Sequence, residues 1–172
     1  MPINSAVRRP NRLTRIAASL GALIVAAACG GSSSPPTSPS AVAAGPGSVY
    51  SADLAYCTDE INRYRGLVGK PPLDRAADLD AFAARAAEHD HRIRVPHQYF
   101  RQTNGGGVSR AETQLLLWRG YAVREVIRRG VAGMWAEGPR GSHYQTLSGD
   151  YTQVGCGVFV NGNEVSVSQD FR

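Results

Sequence analysis

Four side chains in this sequence carry groups that commonly do chemistry: His97, Glu112, Glu137 and His143. Imidazole exchanges protons near neutral pH and holds divalent metals through a neutral ring nitrogen. A carboxylate can ligate, act as a general base, or accept an imidazole N–H and fix its tautomer. The spacing of these four residues does not by itself make any of them special. The sequence contains no G-x-S-x-G, no H-E-x-x-H and no P-loop. Taken singly, each belongs to a residue type found mostly at the surface or in a structural polar pair. Their meaning depends on the elements that bring them together.

Those elements occupy residues 48–172. Leu54, Cys57, Ile61, Tyr64 and Val68 recur at helical spacing behind Ser51, a residue suited to cap a helix, and Gly69-Lys70-Pro71-Pro72 ends the run. A second helix is expected from Ala76 to His91, with Leu79, Phe82, Ala83, Ala86 and Asp90 on one face and small alanines that let a neighbour approach closely. From Pro96 to about Ser109 the chain reads as a loop centred on Gly105-Gly106-Gly107. Residues 112–118 fit a short helix or an irregular segment, and the pattern does not decide between them. Tyr121 to Trp135 reads as a third helix with Val123, Val126, Ile127, Val131 and Met134 inward. The end is β: residues 153–160 and 164–171 flank Asn161-Gly162, a strong hairpin signal. In the last run Val165, Val167, Gln169 and Phe171 alternate with Ser166, Ser168 and Asp170, an apolar face against a polar one.

The residues before this domain read as an export signal and a tether. Arg8, Arg9, Arg12 and Arg15 precede the uncharged run Ile16–Ala28, which is shorter than the roughly 20 residues of a membrane span. Residues 1–28 therefore fit a signal peptide, with an uncleaved anchor as the alternative. Val25-Ala26-Ala27-Ala28-Cys29 resembles a bacterial lipobox, whose cysteine is lipidated; the other reading leaves Cys29 as a free thiol. Gly30 after that cysteine resembles the outer-membrane pattern of lipoproteins. The expected partner is thus a membrane, through a lipid anchor on Cys29, and the expected location is the cell envelope, at the outer membrane or cell surface. Residues 29–47 are rich in Gly, Ser and Pro and are expected to form a flexible tether.

The chain has 19 basic and 14 acidic residues, a formal charge of +5, but four of the basic residues lie in the signal. The remainder is close to neutral. With no basic stripe interleaved with aromatics, nucleic acid is not an expected partner. Cys57 and Cys156 are the two cysteines of the exported domain. The oxidising compartment favours a disulfide between them over two buried thiols.

Several segments, taken in order, resemble the CAP superfamily of cysteine-rich secretory proteins, venom antigens and plant pathogenesis-related proteins, which has many bacterial members. They are Ile61-Asn62-Arg63-Tyr64-Arg65 through Gly69-Lys70-Pro71-Pro72-Leu73, Trp135-Ala136-Glu137, Gly141-Ser142-His143-Tyr144, Tyr151 to Val158, and Gln169-Asp170-Phe171. The resemblance spans about residues 52–172. It implies an α+β fold, a three-layer α-β-α sandwich around a central antiparallel sheet. It also implies a central cleft lined by two histidines and two acids. His143 and Glu137 match that pattern well. Glu112 takes the place of the acid in a segment whose two neighbours differ here, and His97 is preferred to its rivals His89 and His91 on motif order.

Such a tetrad has two chemical uses. With two imidazoles as ligands it would hold Zn²⁺ or another divalent cation and leave positions open for water or ligand. Without metal, an acid beside each histidine makes the cleft sensitive to pH. The cluster could equally be a polar staple that fastens loops to the core. The resemblance therefore implies a non-enzymatic binding module for a divalent metal, a small lipid or a peptide. The alternative is a metal-dependent hydrolase of envelope material, with metal on His97 and His143 and Glu112 or Glu137 as general base.

Overall fold

The computed structural model describes Val42–Ala44 and residues 47–172. The signal segment and Cys29 lie outside the described residues. No helix among those described is long and apolar enough to cross a membrane.

The chain runs β1 (Val42–Ala44), α1 (Ser51–Gly66), β2 (Asp74–Arg75), α2 (Ala77–Ile93), α3 (Gln98–Thr103), a 3-10 turn (Asn104–Gly107), β3 (Ala111–Arg119), α4 (Val123–Ala136), α5 (Ser142–Leu147), β4 (Gln153–Asn161) and β5 (Glu164–Phe171). The sheet order is β1-β4-β5-β3, and β2 also pairs with β4. Every pairing is antiparallel except β2 with β4, so the sheet is mixed at that two-residue segment. Helix α2 covers one face, with α3 packed beside it, and α1, α4 and α5 pack together against the other, the three-layer α+β sandwich that the family resemblance implies.

The apolar face of β5 joins the core. Val165, Val167 and Phe171 pack with Leu54, Ile61, Val126, Ile127 and Val131 of α1 and α4. Cys57 in α1 and Cys156 in β4 form the expected disulfide, which ties that helical layer to the sheet. Closing a loop near 100 residues stabilises the fold by about 4.7 kcal/mol in the chain-entropy account.

The other face of the sheet is built differently. Ser166, Ser168 and Asp170 are as buried as their apolar neighbours. Alternation in β5 thus marks two kinds of burial, since α2 lies directly over the polar side. Gly155 and Gly157 of β4 make this possible. A Cβ on Gly157 would stand 2.0 Å from the Ala84 nitrogen, and one on Gly155 would stand 2.2 Å from the Leu79 carbonyl carbon. The alanine-rich face of α2 meets those glycines at backbone distance, so little space remains for large apolar side chains.

Several local expectations change. Residues 112–118 are neither helix nor irregular, because Ala111–Arg119 forms the edge strand β3, paired with β5 and broken by a bulge between Leu115 and Trp118. Its run of polar and apolar residues was ambiguous because both faces are covered, so no clean alternation arises. The segment expected as a loop contains the short helix α3 and the 3-10 turn. Helix α1 ends at Gly66, which leaves Val68 partly exposed, and Ser51 opens the helix without capping it. The backbone of Val42–Ala44 pairs with β4, so the sheet begins inside the stretch expected to be tether.

Candidate functional site

His97 stands in the turn between α2 and α3 in a left-handed conformation, with φ +59°. That conformation costs a residue bearing a side chain roughly 1–3 kcal/mol and persists only where the surroundings enforce it. The enforcing contacts are buried and polar. The His97 backbone N–H donates to Gln114 Oε1 at 2.9 Å. Gln114 Nε2 donates to Asp90 Oδ2 at 2.8 Å and to Ser168 Oγ at 2.9 Å. The Tyr99 N–H, just after His97, donates to Asp90 Oδ1 at 2.8 Å. Asp90 on α2 and Gln114 on β3 thus hold the turn from two sides.

The His97 ring is held by Glu112, whose Oε1 lies 2.8 Å from Nδ1. The Glu112 side chain is only 1% exposed, and its other oxygen has no hydrogen-bond partner among the described residues. Burial raises the Glu112 pKa, while the bond to His97 opposes that shift. Asp170 sits directly across the ladder from Glu112. Both of its oxygens are buried and unpartnered among the described residues. Its carboxyl is pushed well above the usual range, first by burial and then by the charge of Glu112. An acid-rich floor therefore lies under the His97 side of the site.

The second pair is local. Glu137 ends α4, and His143 lies in the first turn of α5, six residues on. His143 Nδ1 lies 2.5 Å from Glu137 Oε1, and the His143 N–H donates to Oε2 of the same carboxylate at 3.2 Å. These bonds lower the Glu137 pKa. Gly141 permits the fold-back, since a Cβ there would stand 2.3 Å from the Cβ of Glu137. Both side chains remain about one third exposed.

What anchors α5 is a set of residues that chemical type alone did not single out. Arg65 on α1 is fully buried and donates to the carbonyls of Pro71, Leu147 and Gly149. Two of those carbonyls stand at the C-terminal end of α5. The rings of Tyr64, Trp135 and Tyr144 follow one another at 5.3 and 4.3 Å between centroids, joining α1, α4 and α5. Asn62 clamps Leu73 by donating to its carbonyl and accepting its N–H. The Asn62 and Arg65 spacing was visible in the sequence as part of the opening segment, but its purpose was not.

The two pairs meet over the edge strand. His97, Glu112 and His143 line one cavity of about 280 Å³ together with Phe100, Ser142 and Thr146. Glu137 supports this cavity from behind His143. The rival histidines lie elsewhere. His89 pairs with Asp90, and His91 is buried against Phe159 with Nδ1 on Ser166 Oγ, its pKa lowered by burial. With each Nδ1 held by a carboxylate, the neutral form of both rings carries its proton there and leaves Nε2 as an acceptor. Among the described residues no three His, Cys, Asp or Glu side chains are grouped to hold one metal ion. A closed protein-ligated metal site is therefore not built; a cation here would have two imidazoles and otherwise water or ligand.

The model of the cysteine-rich secretory protein (CAP) family matches residues 58–171. The chain belongs to this family. Two solved structures are similar in fold. An outer surface protein of Borrelia burgdorferi is 17% identical, with 72% of this chain and 94% of that one covered and a TM-score of 0.50. A cysteine-rich secretory protein of Staphylococcus aureus is also 17% identical, with 74% of this chain but 40% of that one covered and a TM-score of 0.49. No curated protein matches the sequence.

Proposed function

We propose that this is a non-enzymatic binding module of the cell envelope, whose cleft between His97 and His143 receives a small polar ligand or a hydrated divalent cation. One observation carries the reading: two imidazoles from opposite helical layers, each held at Nδ1 by a carboxylate, line a single cavity over β3. Two imidazoles with Nε2 left as acceptor on one cavity suit a cation, or a ligand presenting hydroxyl or ammonium donors. The same geometry disfavours the hydrolase alternative. Glu112 spends one oxygen on His97 and buries the other, and Glu137 spends both on His143. Both carboxylates are thus engaged in holding the histidines, which supports a binding role over a general-base role.

The proposed location is outside the cytoplasm, with the domain tethered to a membrane by lipid on Cys29. The lipobox-like sequence supports this, and so does the likeness in fold to an outer surface protein of Borrelia. The primary test is calorimetric titration of the purified protein with Zn²⁺ near neutral pH, for wild type and for His97→Ala/His143→Ala. Stoichiometric binding lost in the double variant supports a cation cleft. Absence of binding in wild type removes the cation and leaves an organic ligand. Chelator-sensitive hydrolysis of envelope material that disappears in Glu137→Gln would replace this reading with the hydrolase.

A further inference from the structure

A larger cavity of about 700 Å³ opens beside the histidine cleft, with Phe100 as a wall common to both. It lies at the end of the sheet where β3 and β4 begin and β5 finishes, and the Asn104–Gly107 turn borders it. This volume falls in the range of small-molecule sites. The lining is amphipathic: Phe100 and Val108 are half-buried and apolar, whereas Arg110, Thr152, Gln153 and Arg172 are polar. None of the nine lining residues is acidic.

The two arginines differ. Arg172 is already neutralised, with its guanidinium on both oxygens of Asp78 and its Nε on Gln153 Oε1. Arg110 has no carboxylate within salt-bridge distance among the described residues; its guanidinium carbon stands 5.9 Å from the Tyr151 ring centroid. Its backbone is fixed to the sheet through a 2.8 Å bond to the Phe171 carbonyl. The cavity therefore has, among its lining residues, one arginine that pairs with no carboxylate among the described residues, and Phe100 as its aromatic wall. Phe100 is itself braced edge-on against Phe82 at 6.5 Å.

We propose that this cavity binds a small organic monocarboxylate with a flat apolar body, its carboxylate on Arg110 and its body against Phe100 and Val108. A guanidinium matches a carboxylate in a two-pronged geometry. A single uncompensated cation suits a monoanion better than a doubly charged phosphate. The proposal goes beyond the histidine-cleft reading and does not depend on it.

The test uses the full chain and 2-naphthoate, with binding followed by calorimetry and ligand-observed NMR. The neutral 2-naphthamide serves as the comparison ligand, and Arg110→Gln and His97→Ala/His143→Ala are the variants. Saturable naphthoate binding is expected in wild type and in the double histidine variant. Arg110→Gln should weaken it at least about tenfold, and the amide should bind weaker by a similar factor. Arg110 is exposed and bonds no other side chain among the described residues, so that variant should fold normally, which its thermal midpoint checks. The proposal is overturned if no saturable binding occurs into the millimolar range, if the amide or Arg110→Gln binds as well, or if only the histidine variant loses binding.

Discussion

The two halves of the cleft use the same pair of groups in opposite ways. His143 and Glu137 are six residues apart, joined by one turn, and remain partly open to water. His97 and Glu112 come from different layers, and their carboxylate lies buried above a second buried acid. The local pair needs only a glycine and a docked helix. The distant pair needs a strained backbone, a buried amide and an aspartate on α2. One site thus joins a soft side with a stiff one, and the stiff side concentrates the electrostatic cost.

The largest effect expected is at the support of the local half. Arg65→Met takes the donor from the buried Leu147 carbonyl and the half-buried Gly149 carbonyl, while water can replace it at exposed Pro71, and should lower stability by roughly 3–5 kcal/mol, at about 1–3 kcal/mol for each of the two unsatisfied groups. Urea unfolding measures the loss. Hydrogen exchange should show that α5 opens more than α3, and equal opening of both would break the distinction between the halves.

A smaller loss is expected on the stiff side. Gln114→Leu removes the acceptor of the His97 N–H and a donor to Asp90, at a cost of about 2 kcal/mol. Its sharper readout is local: the His97 NMR signals should broaden or shift while those of His143 stay in place. Signals that move together would show the halves to be one unit.

The remaining effects concern pH and have opposite signs. Asp170 has a raised pKa in the fold, so the folded state holds its proton where the unfolded state releases it. Its contribution falls as pH climbs from the unfolded value near 4 toward the folded one. Asp170→Asn should therefore stabilise the protein near neutral pH, with the gain vanishing in acid. Glu137 has a lowered pKa, so its contribution is present above the unfolded carboxylate value and fades as pH falls through the folded one. Glu137→Gln should lose stability slightly at neutral pH and match wild type in acid. Thermal midpoints across pH check both, and an Asp170→Asn midpoint below wild type at neutral pH would show that the buried charge is compensated.

Much of this molecule was legible in the chain because it is local. The three long helices, the Asn161-Gly162 hairpin and the apolar face of β5 follow from periodicity and turn chemistry, which act over a few residues. The pairing of Glu137 with His143 is legible for the same reason once the family pattern is seen. The Cys57–Cys156 bond could be expected from compartment and count, but not from geometry. The nature of residues 111–119 was not legible, because a strand covered on both faces carries no alternation. Nor was the burial of Ser166, Ser168 and Asp170, since small polar residues look the same under water as under an alanine-rich helix. That α2 would press on Gly155 and Gly157, set Asp90 beneath Gln114 and bend His97 into a left-handed turn depends on contacts between residues far apart in the chain. Short-range chemistry written in the chain thus defines the elements and the family. Long-range packing settles which carboxylates lose their water, and that loss makes the His97 half of the cleft unlike its partner.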